Sequence, residues 1–318
     1  MAVADTGSRF SAGKWLHSIL KPNVSLALVL RGRIQRYHDY LGDHTRKSLD
    51  ILPIAIIKEA CSQECRKVAA EANVARDHQK DMTKARQHAL GKILDSRIAI
   101  IDGAMGTTIR TYGMTEADIR GERFKDSTKS LLNNGDLFSL TKPEMIGDIH
   151  RRFLEAGADI IETNTFGATT ITQSEFFVDD PRERGGRKDP EFYEKIVDDL
   201  FLGSLVWDIN QQSARQCREW ADRVGTATSR QRFVAGAIGP LTVSLSNSPD
   251  ADDPGFRVVT FDQVKTAYTQ QVRALIAGGA DLLLVETIFD SLNAKAALVA
   301  IREVFDKDGK ELPIMISA

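Results

Sequence analysis

Four polar residues of this sequence stand directly after apolar segments, where their types suit the binding of a small charged molecule. They are Asp102 after RIAII, Asn164 and Thr165 in ADIIETNTF, and Glu286 in ADLLLVETIF. Carboxylates pair with a cationic group, and the N–H groups of a glycine-containing turn such as DGAMGT, which Asp102 opens, hold an anion. One zwitterion, an amino acid, would satisfy both kinds of group.

The elements that must position these residues are short apolar runs that alternate with longer amphipathic segments. The runs cover 97–102, 158–166, 232–240, 280–289 and 312–317. Helical patterns lie between them, at about 142–156, 191–223, 262–277 and 291–306. Runs that are apolar on both faces are typical of parallel strands covered by helices, so the sequence predicts an α/β fold built from βαβ units.

An internal similarity places the polar residues at one edge of this sheet. EAGADIIETNTF resembles AGGADLLLVETIF, and each has a glycine, Gly157 or Gly279, where a helix is expected to end in the left-handed conformation. In this alignment Asn164 falls opposite Glu286. Both then lie at the carboxyl ends of parallel strands, where α/β folds bind ligands. The alternatives are that Asp102 only forms a turn, and that the other residues face solvent or begin loops.

Composition and motifs exclude several other classes of function. The net charge of −2 gives no basic field for nucleic acid, and the longest N-terminal apolar run, VSLALVL, is too short to span a membrane. No dinucleotide fingerprint, phosphate-binding P-loop or GxSxG nucleophile motif occurs. His150 and Cys217 lie within helical patterns; His150 is interpreted as a packing or surface residue and Cys217 as a structural residue of its helix. No catalytic residue and no zinc site is identified from the residues present.

The N-terminal third differs from the rest of the chain. Residues 1–96 predict helices and polar linkers without recognisable chemistry, and Cys61 and Cys65 are interpreted as two unconnected thiols rather than a metal pair. Residues 1–36 contain six Lys and Arg residues and one acid, so a mitochondrial presequence is an alternative to a basic surface segment. We therefore predict two regions, a helical or partly disordered extension over 1–96 and an α/β region over 97–318.

Residues 97–318 resemble the homocysteine-binding domain of cobalamin-dependent methionine synthase, in the homocysteine S-methyltransferase family. The resemblance is carried by several blocks in family order: DGAMGT, GERF, NNGDLFSLTKPE, FLEAGADIIETNTFGATTI, RFVAGAIGP, VTFDQVKTAY and GGADLLLVETIFDSLNAKAAL. It implies a (β/α)8 TIM barrel that is incomplete here, with about five strands and four helices. It also implies homocysteine binding at the barrel mouth by Asp102, Gly103, Ala104, Asn164, Thr165 and Glu286.

The resemblance implies an enzyme that transfers a methyl group from methylcobalamin, with 5-methyltetrahydrofolate as ultimate donor, to zinc-bound homocysteine. The three zinc cysteines of the family are expected beyond Ala318, together with the rest of the barrel and the folate and cobalamin domains, so we expect residues 1–318 alone to be inactive. Neither a nucleic acid nor a membrane partner is expected, and the family is cytoplasmic. The alternatives are a non-catalytic half-barrel binding or interaction protein, and a methyltransferase that uses betaine or S-methylmethionine.

Two departures from the family pattern accompany these matches. Leu241 and Thr242 follow Gly239-Pro240 where the family usually has Thr-Asn, which removes an amide from the expected mouth of the barrel. The segment 178–190, VDDPRERGGRKDP, is interpreted as an inserted surface loop because of its charges, glycines and prolines.

Overall fold

The structure is a computed structural model, and it describes residues 88–318. The predictions for the N-terminal extension, including the pair Cys61 and Cys65, lie outside the described residues except at 88–96. There a short helix, α1, spans Ala89–Leu94. It begins at His88, whose Nδ1 accepts the N–H of Leu90 at 3.2 Å.

Four parallel strands form one sheet in the described part of the chain. They are β1 (Ile160–Glu162), β2 (Phe233–Ile238), β3 (Leu282–Val285) and β4 (Ile314–Ile316). Their order is β1-β2-β3-β4, so each strand pairs with the next strand in sequence. This confirms the predicted α/β fold with a parallel sheet, while closure into a barrel stays a prediction.

The first predicted strand, at 97–102, is present only as an extended segment. It makes one parallel bridge to β1, between Ile101 and Ile160. The N–H of Asp102 donates to Ile160 O at 2.9 Å, and the N–H of Ile160 donates back to Ile100 O at 3.1 Å. These bonds place Asp102 beside the carboxyl end of β1.

The central strands are apolar because both of their faces are covered. Every residue of β2 and β3 is buried, as expected of parallel strands with helices on one side and further side chains on the other. The helices are α2 (Met105–Thr111), α3 (Glu116–Arg120), α4 (Phe138–Thr141), α5 (Pro143–Ala156), α6 (Thr170–Phe177), α7 (Pro190–Val197), α8 (Leu200–Thr228), α9 (Phe261–Gly278) and α10 (Ser291–Asp308). None of the helices within residues 88–318 is long and apolar enough to cross a membrane.

Three of the four predicted helices are confirmed with small changes at their ends, and the fourth is divided. The pattern at 191–223 becomes α7 and α8, which are separated at Asp198 and Asp199. Asp199 is the N-cap of α8, and its Oδ1 accepts the N–H of Leu202 at 2.8 Å. A capping aspartate can start a new helix in this way even where the helical pattern of apolar residues runs on without a break.

The helix ends confirm the predicted role of two glycines. Gly157 ends α5 with φ of 114°, and Gly279 ends α9 with φ of 101°. Both are left-handed conformations that a glycine adopts without the steric penalty of a Cβ. Each glycine therefore turns the chain from a helix into the strand that follows, β1 or β3.

The predicted surface loop at 178–190 is exposed in part but is anchored at its end. It contains one turn of 3₁₀ helix at Pro181–Arg184, and its arginines are exposed. Lys188, in contrast, is only 9% exposed. Its Nζ donates to both carboxylate oxygens of Glu175, at 2.8 and 2.7 Å, which attaches the segment to α6.

Candidate functional site

A cleft of about 660 Å³ opens at the carboxyl ends of β1 and β3. Of the residues predicted for the site, Ala104, Asn164, Thr165 and Glu286 line this cleft. Asp102 and Gly103 do not, but Asp102 lies directly behind it. The fold therefore brings the predicted residues to one place, as their common position at strand ends implied.

Asp102 is held by the strand beside it. Its two carboxylate oxygens accept the backbone N–H of Glu162, at 3.0 and 3.1 Å. Burial, followed by the charges of Glu162 and Glu286, raises the pKa of Asp102 to about 8. A carboxyl in this state gains its charge only if a cation approaches or the pH is high.

The turn after Asp102 is tight, but its glycines are not what makes it so. The residue with positive φ is Ala104, at 50°, whereas Gly103 and Gly106 are outside the left-handed region. The positive φ of this turn is therefore at Ala104, and neither glycine provides it. A Cβ at Gly103 or at Gly106 would meet no atom within 4 Å, so the space next to both is open.

Asn164 and Thr165 are both buried, and their side chains are used differently. Asn164 Nδ2 donates to Gly135 O at 2.9 Å and to Ser139 Oγ at 3.2 Å, which ties the end of β1 to α4 and the turn before it. Thr165 Oγ1 donates to Ala237 O at 2.8 Å. Both residues line the cleft, and the hydroxyl of Thr165 also links the end of β1 to β2.

Glu286 reaches the cleft from the end of β3. Its N–H donates to Ile238 O at 3.1 Å, so its backbone still belongs to the sheet. Burial raises the pKa of its carboxyl. The next residue, Thr287, has φ of 52°, an uncommon conformation for a β-branched residue. Left-handed residues of this kind concentrate at functional sites, where the surrounding structure holds them.

Glu162 is a site residue that the sequence analysis missed. It is the last residue of β1, lines the same cleft as Glu286, and is half-buried. Burial, together with the charge of Glu286, raises its pKa to about 7. The signal was an acid at the end of an otherwise apolar strand, two residues before Asn164. The internal repeat does not reinforce this signal, because the counterpart of Glu162 is an apolar residue, Leu284.

A second missed feature is a buried polar group on the opposite wall. Asp136 Oδ2 accepts the N–H of Gly167 at 3.0 Å, and Asn134 Nδ2 donates to Gln173 Oε1 at 2.8 Å. Gln173 Nε2 in turn donates to Gly167 O at 3.1 Å. Burial raises the pKa of Asp136 to about 7. This network fixes the turn that follows β1, and nothing in the spacing of NNGDL signalled it.

His150 and Cys217 are confirmed as packing residues, and they contact each other. Both are fully buried, and His150 Nε2 lies 3.2 Å from Cys217 Sγ. The thiol also lies 3.4 Å from Glu162 O. Burial lowers the pKa of His150 to about 4 and raises that of Cys217 well above its ordinary value. A neutral imidazole beside a neutral thiol does not make an activated nucleophile.

The described residues do not form a metal centre. Within 88–318, no three His, Cys, Asp or Glu side chains are placed so that they could hold a metal ion together. The three carboxyl groups of Asp102, Glu162 and Glu286 are near enough to influence one another electrostatically. This arrangement suits an organic cation, which needs several acceptors but no fixed coordination geometry.

The fold and the site together define an α/β protein that presents clustered carboxyls and a tight turn at the carboxyl edge of a parallel sheet. Residues 99–318 match the family model described as Homocysteine S-methyltransferase. This match covers more than half of the 318 residues, and the chain belongs to the homocysteine S-methyltransferase family.

Three solved structures of a homocysteine methyltransferase, MmuM from Escherichia coli, are similar to this chain. The metallated form is 20% identical, with a TM-score of 0.45, over 67% of this chain and 62% of that one. The oxidised form is 19% identical, with a TM-score of 0.45, over 66% and 60%. The apo form is 19% identical, with a TM-score of 0.39, over 66% and 57%. The chain thus spans about three fifths of the length of these structures.

Proposed function

We propose that the cleft binds homocysteine as a methyl acceptor, and that the chain is the homocysteine-binding part of a methionine synthase. The complete protein would transfer a methyl group from methylcobalamin, with 5-methyltetrahydrofolate as ultimate donor. Family membership supports the acceptor. The blocks NNGDL and ETNTFGATT, together with GERF, support the cobalamin-dependent branch over a betaine or S-methylmethionine enzyme.

The observation that carries the proposal is the set of three carboxyl groups around one cleft. Asp102 ends the extended segment beside β1, Glu162 ends β1 and Glu286 follows β3, with β2 between the last two. No cationic side chain is paired with these three carboxyls within the described residues. An α-ammonium group in the cleft would favour the ionised forms of these carboxyls and donate charge-assisted hydrogen bonds to Glu162 and Glu286, which line it. The ammonium end of the amino acid would therefore lie on the β1–β3 side of the cleft.

The α-carboxylate is assigned to the turn that leads into α2. Thr108 donates its N–H to Ala104 O at 2.8 Å, which closes the first helical bond. The N–H groups of Met105 to Thr107 have no intrahelical acceptor, as in the first turn of any helix. The open space beside Gly103 and Gly106 lets a carboxylate approach this backbone closely.

The part of the chain between residues 88 and 318 binds and orients the acceptor in this proposal, and it does not fit zinc. Its one cysteine, Cys217, is buried against His150 behind the cleft. The zinc cysteines of the complete protein are expected beyond Ala318. The residues described here would hold the amino and carboxyl groups, and the thiol would extend towards the open side of the cleft.

Calorimetric titration of the full chain with L-homocysteine at pH 8 tests the acceptor site. We expect Glu286→Gln to weaken binding about tenfold or more, because a charge-assisted bond worth about 1.5–3 kcal/mol is lost. The matched control is Glu122→Gln, since the Glu122 side chain is 94% exposed. We also expect 4-mercaptobutyrate, which lacks the ammonium group, to bind more weakly than homocysteine. Equal affinity for the two compounds would show that the carboxyls do not hold the ammonium.

A further inference from the structure

A second cleft, of about 540 Å³, lies beside the inserted segment 178–190. Its walls come from that segment, from the start of α7 and from the loop 242–258 after β2. No residue lines both this cleft and the one described above. It is therefore a separate feature of the fold, and nothing in the proposed methyl transfer uses it.

The inserted segment is fixed on both sides of this cleft. On one side, the buried Lys188 binds both carboxylate oxygens of Glu175 on α6. On the other, the guanidinium of Arg187 lies 3.5 Å from the ring centre of Phe256 and donates to Asp250 Oδ2 at 2.8 Å. The segment thus connects α6 to the loop after β2. These contacts hold the walls of the cleft in place.

Tyr193 places a free hydroxyl at this cleft. The residue is only 1% exposed and lines the cleft, yet its hydroxyl has no hydrogen-bond partner among the described residues. A tyrosine as buried as this one normally pairs its O–H. The oxygen of Tyr193 is unpaired but is not one of the fully shielded polar atoms of the described residues, so a ligand in the cleft can reach it. Burial, followed by the charge of Glu175, raises the pKa of Tyr193. The hydroxyl therefore keeps its proton and is available as a donor.

The two carboxylates that line the cleft already accept hydrogen bonds. Both carboxylate oxygens of Glu175 accept from Lys188. Asp250 Oδ1 accepts the N–H of Asp252 at 3.0 Å, and its Oδ2 accepts from Arg187. A cation entering the cleft would have to displace one of these bonds.

Donors, in contrast, are in excess. Arg182 uses Nε and Nη2 on Asp180, and Arg187 uses Nη2 on Asp250, so Nη1 of each guanidinium is spare within the described structure. The two arginine side chains are 65% and 50% exposed. Ion pairs this exposed contribute little to stability, about 0–1 kcal/mol, so the guanidinium of Arg182 can turn towards another anion at little cost. Arg187 can donate from Nη1 without giving up its contacts with Asp250 and Phe256.

We propose that this second cleft binds a small oxyanion, either a phosphate group or a carboxylate, through the hydroxyl of Tyr193 and the guanidinium groups of Arg182 and Arg187. Planar guanidinium forks match the paired oxygens of either group. The apolar ring of Phe256, covered by Arg187, closes one end of the cleft and reduces the competition of water.

The test is titration of the full chain with inorganic phosphate and, separately, with acetate, at constant ionic strength set by chloride. We expect saturable binding with a Kd of about millimolar for one of the two anions, which identifies the class of ligand. We expect Tyr193→Phe and Arg187→Gln each to weaken it about tenfold, the loss expected for one hydrogen bond to a charged group. Arg184→Gln is the matched control, because Arg184 is on the same segment, is 80% exposed and does not line the cleft.

Three outcomes would overturn the proposal: no saturable binding of either anion, equal binding by Tyr193→Phe and the wild type, or an equal loss in Arg184→Gln. Phe fits the space of Tyr193 and leaves no partner unsatisfied, so this variant tests the site even if Arg187→Gln does not fold. Unchanged thermal melting of Tyr193→Phe checks that its effect is on binding. Because phosphate and acetate are not substrates of methyl transfer, the result does not depend on the proposed function.

Discussion

Asp102→Asn is expected to stabilise the unliganded protein at alkaline pH while it weakens ligand binding. The carboxyl of Asp102 has an ordinary pKa of 3.8 in the unfolded chain and about 8 in the folded protein. A group whose folded pKa is raised favours the unfolded state once the pH exceeds the unfolded pKa, and the loss of stability levels off above the folded pKa. The destabilisation by the charge of Asp102 therefore grows between about pH 4 and pH 8 and persists at higher pH.

The magnitude follows from the two pKa values. At about 1.36 kcal/mol per tenfold change in the acid constant, ionisation of Asp102 disfavours the folded state by about 5 kcal/mol at pH 8 and about 2 kcal/mol at pH 5. Water and the coupled carboxyl of Glu162 relax this penalty, and we expect about 2 kcal/mol of difference between the two pH values to remain. Asn keeps the contact with the N–H of Glu162, because its Oδ1 accepts as the carboxylate oxygen does.

The assay is urea unfolding of the wild type and of Asp102→Asn at pH 5 and pH 8, without ligand. We expect the free energy of unfolding of the variant, relative to that of the wild type, to be about 2 kcal/mol higher at pH 8 than at pH 5. This difference corresponds to about 4–8 °C in Tm. Asp126→Asn, at an exposed position, is the control and should not change with pH in this way. A variant that is equally destabilised at both pH values would refute the reasoning. It would show that the Asp102 carboxylate is a turn-forming group that supports the fold.

Two further results are expected from glycines and from the buried thiol. Gly278→Ala should lower the free energy of unfolding by about 1–3 kcal/mol, because its Cβ would lie 2.5 Å from a carbonyl oxygen of α8. Gly203→Ala, which has open space around it in α8, should raise the free energy by about 0.5–1 kcal/mol; equal urea midpoints for the two variants would contradict the close α8–α9 contact. Cys217 should react with a thiol reagent only after unfolding, because it is fully buried and burial raises its pKa. Peptide mass spectrometry after labelling of the native protein checks this, and a labelled Cys217 would show that the core opens.

The sequence was sufficient to predict the edge of the sheet at which the site lies. Strand ends could be located because the apolar runs stop at Asp102, shortly before Asn164 and at Glu286, and because Gly157 and Gly279 mark where helices end. These are local signals: a polar residue that ends an apolar run indicates the end of a strand, and a glycine in the left-handed conformation ends a helix. Because parallel strands all point the same way, their carboxyl ends lie at one edge of the sheet, and this inference requires no distances.

Glu162 and Ala104 show what the sequence could not provide. The electrostatic state of Glu162 depends on burial and on Glu286, which is far away in the chain, so no local pattern reveals it. At DGAMGT the glycines were the natural choice for positive φ, yet Ala104 adopts it. The surrounding bonds of the strand and of α2 set that conformation, and residue propensity did not decide it.

The acids at the two ends of β1 differ in whether a cation is paired with them. This contrast supports a binding role for the carboxyl end. Asp159, at the amino end, pairs with Arg97 at 2.6 Å and with Arg230 at 3.1 Å, which lowers its pKa to about 2. Asp102 and Glu162, at the carboxyl end, have raised pKa values and no cation within the described residues. The acid at the amino end of β1 is therefore neutralised by arginines within the fold. Acids left without a counter-ion at the opposite edge are what a cationic ligand requires, because the ligand supplies the missing charge and relieves their repulsion.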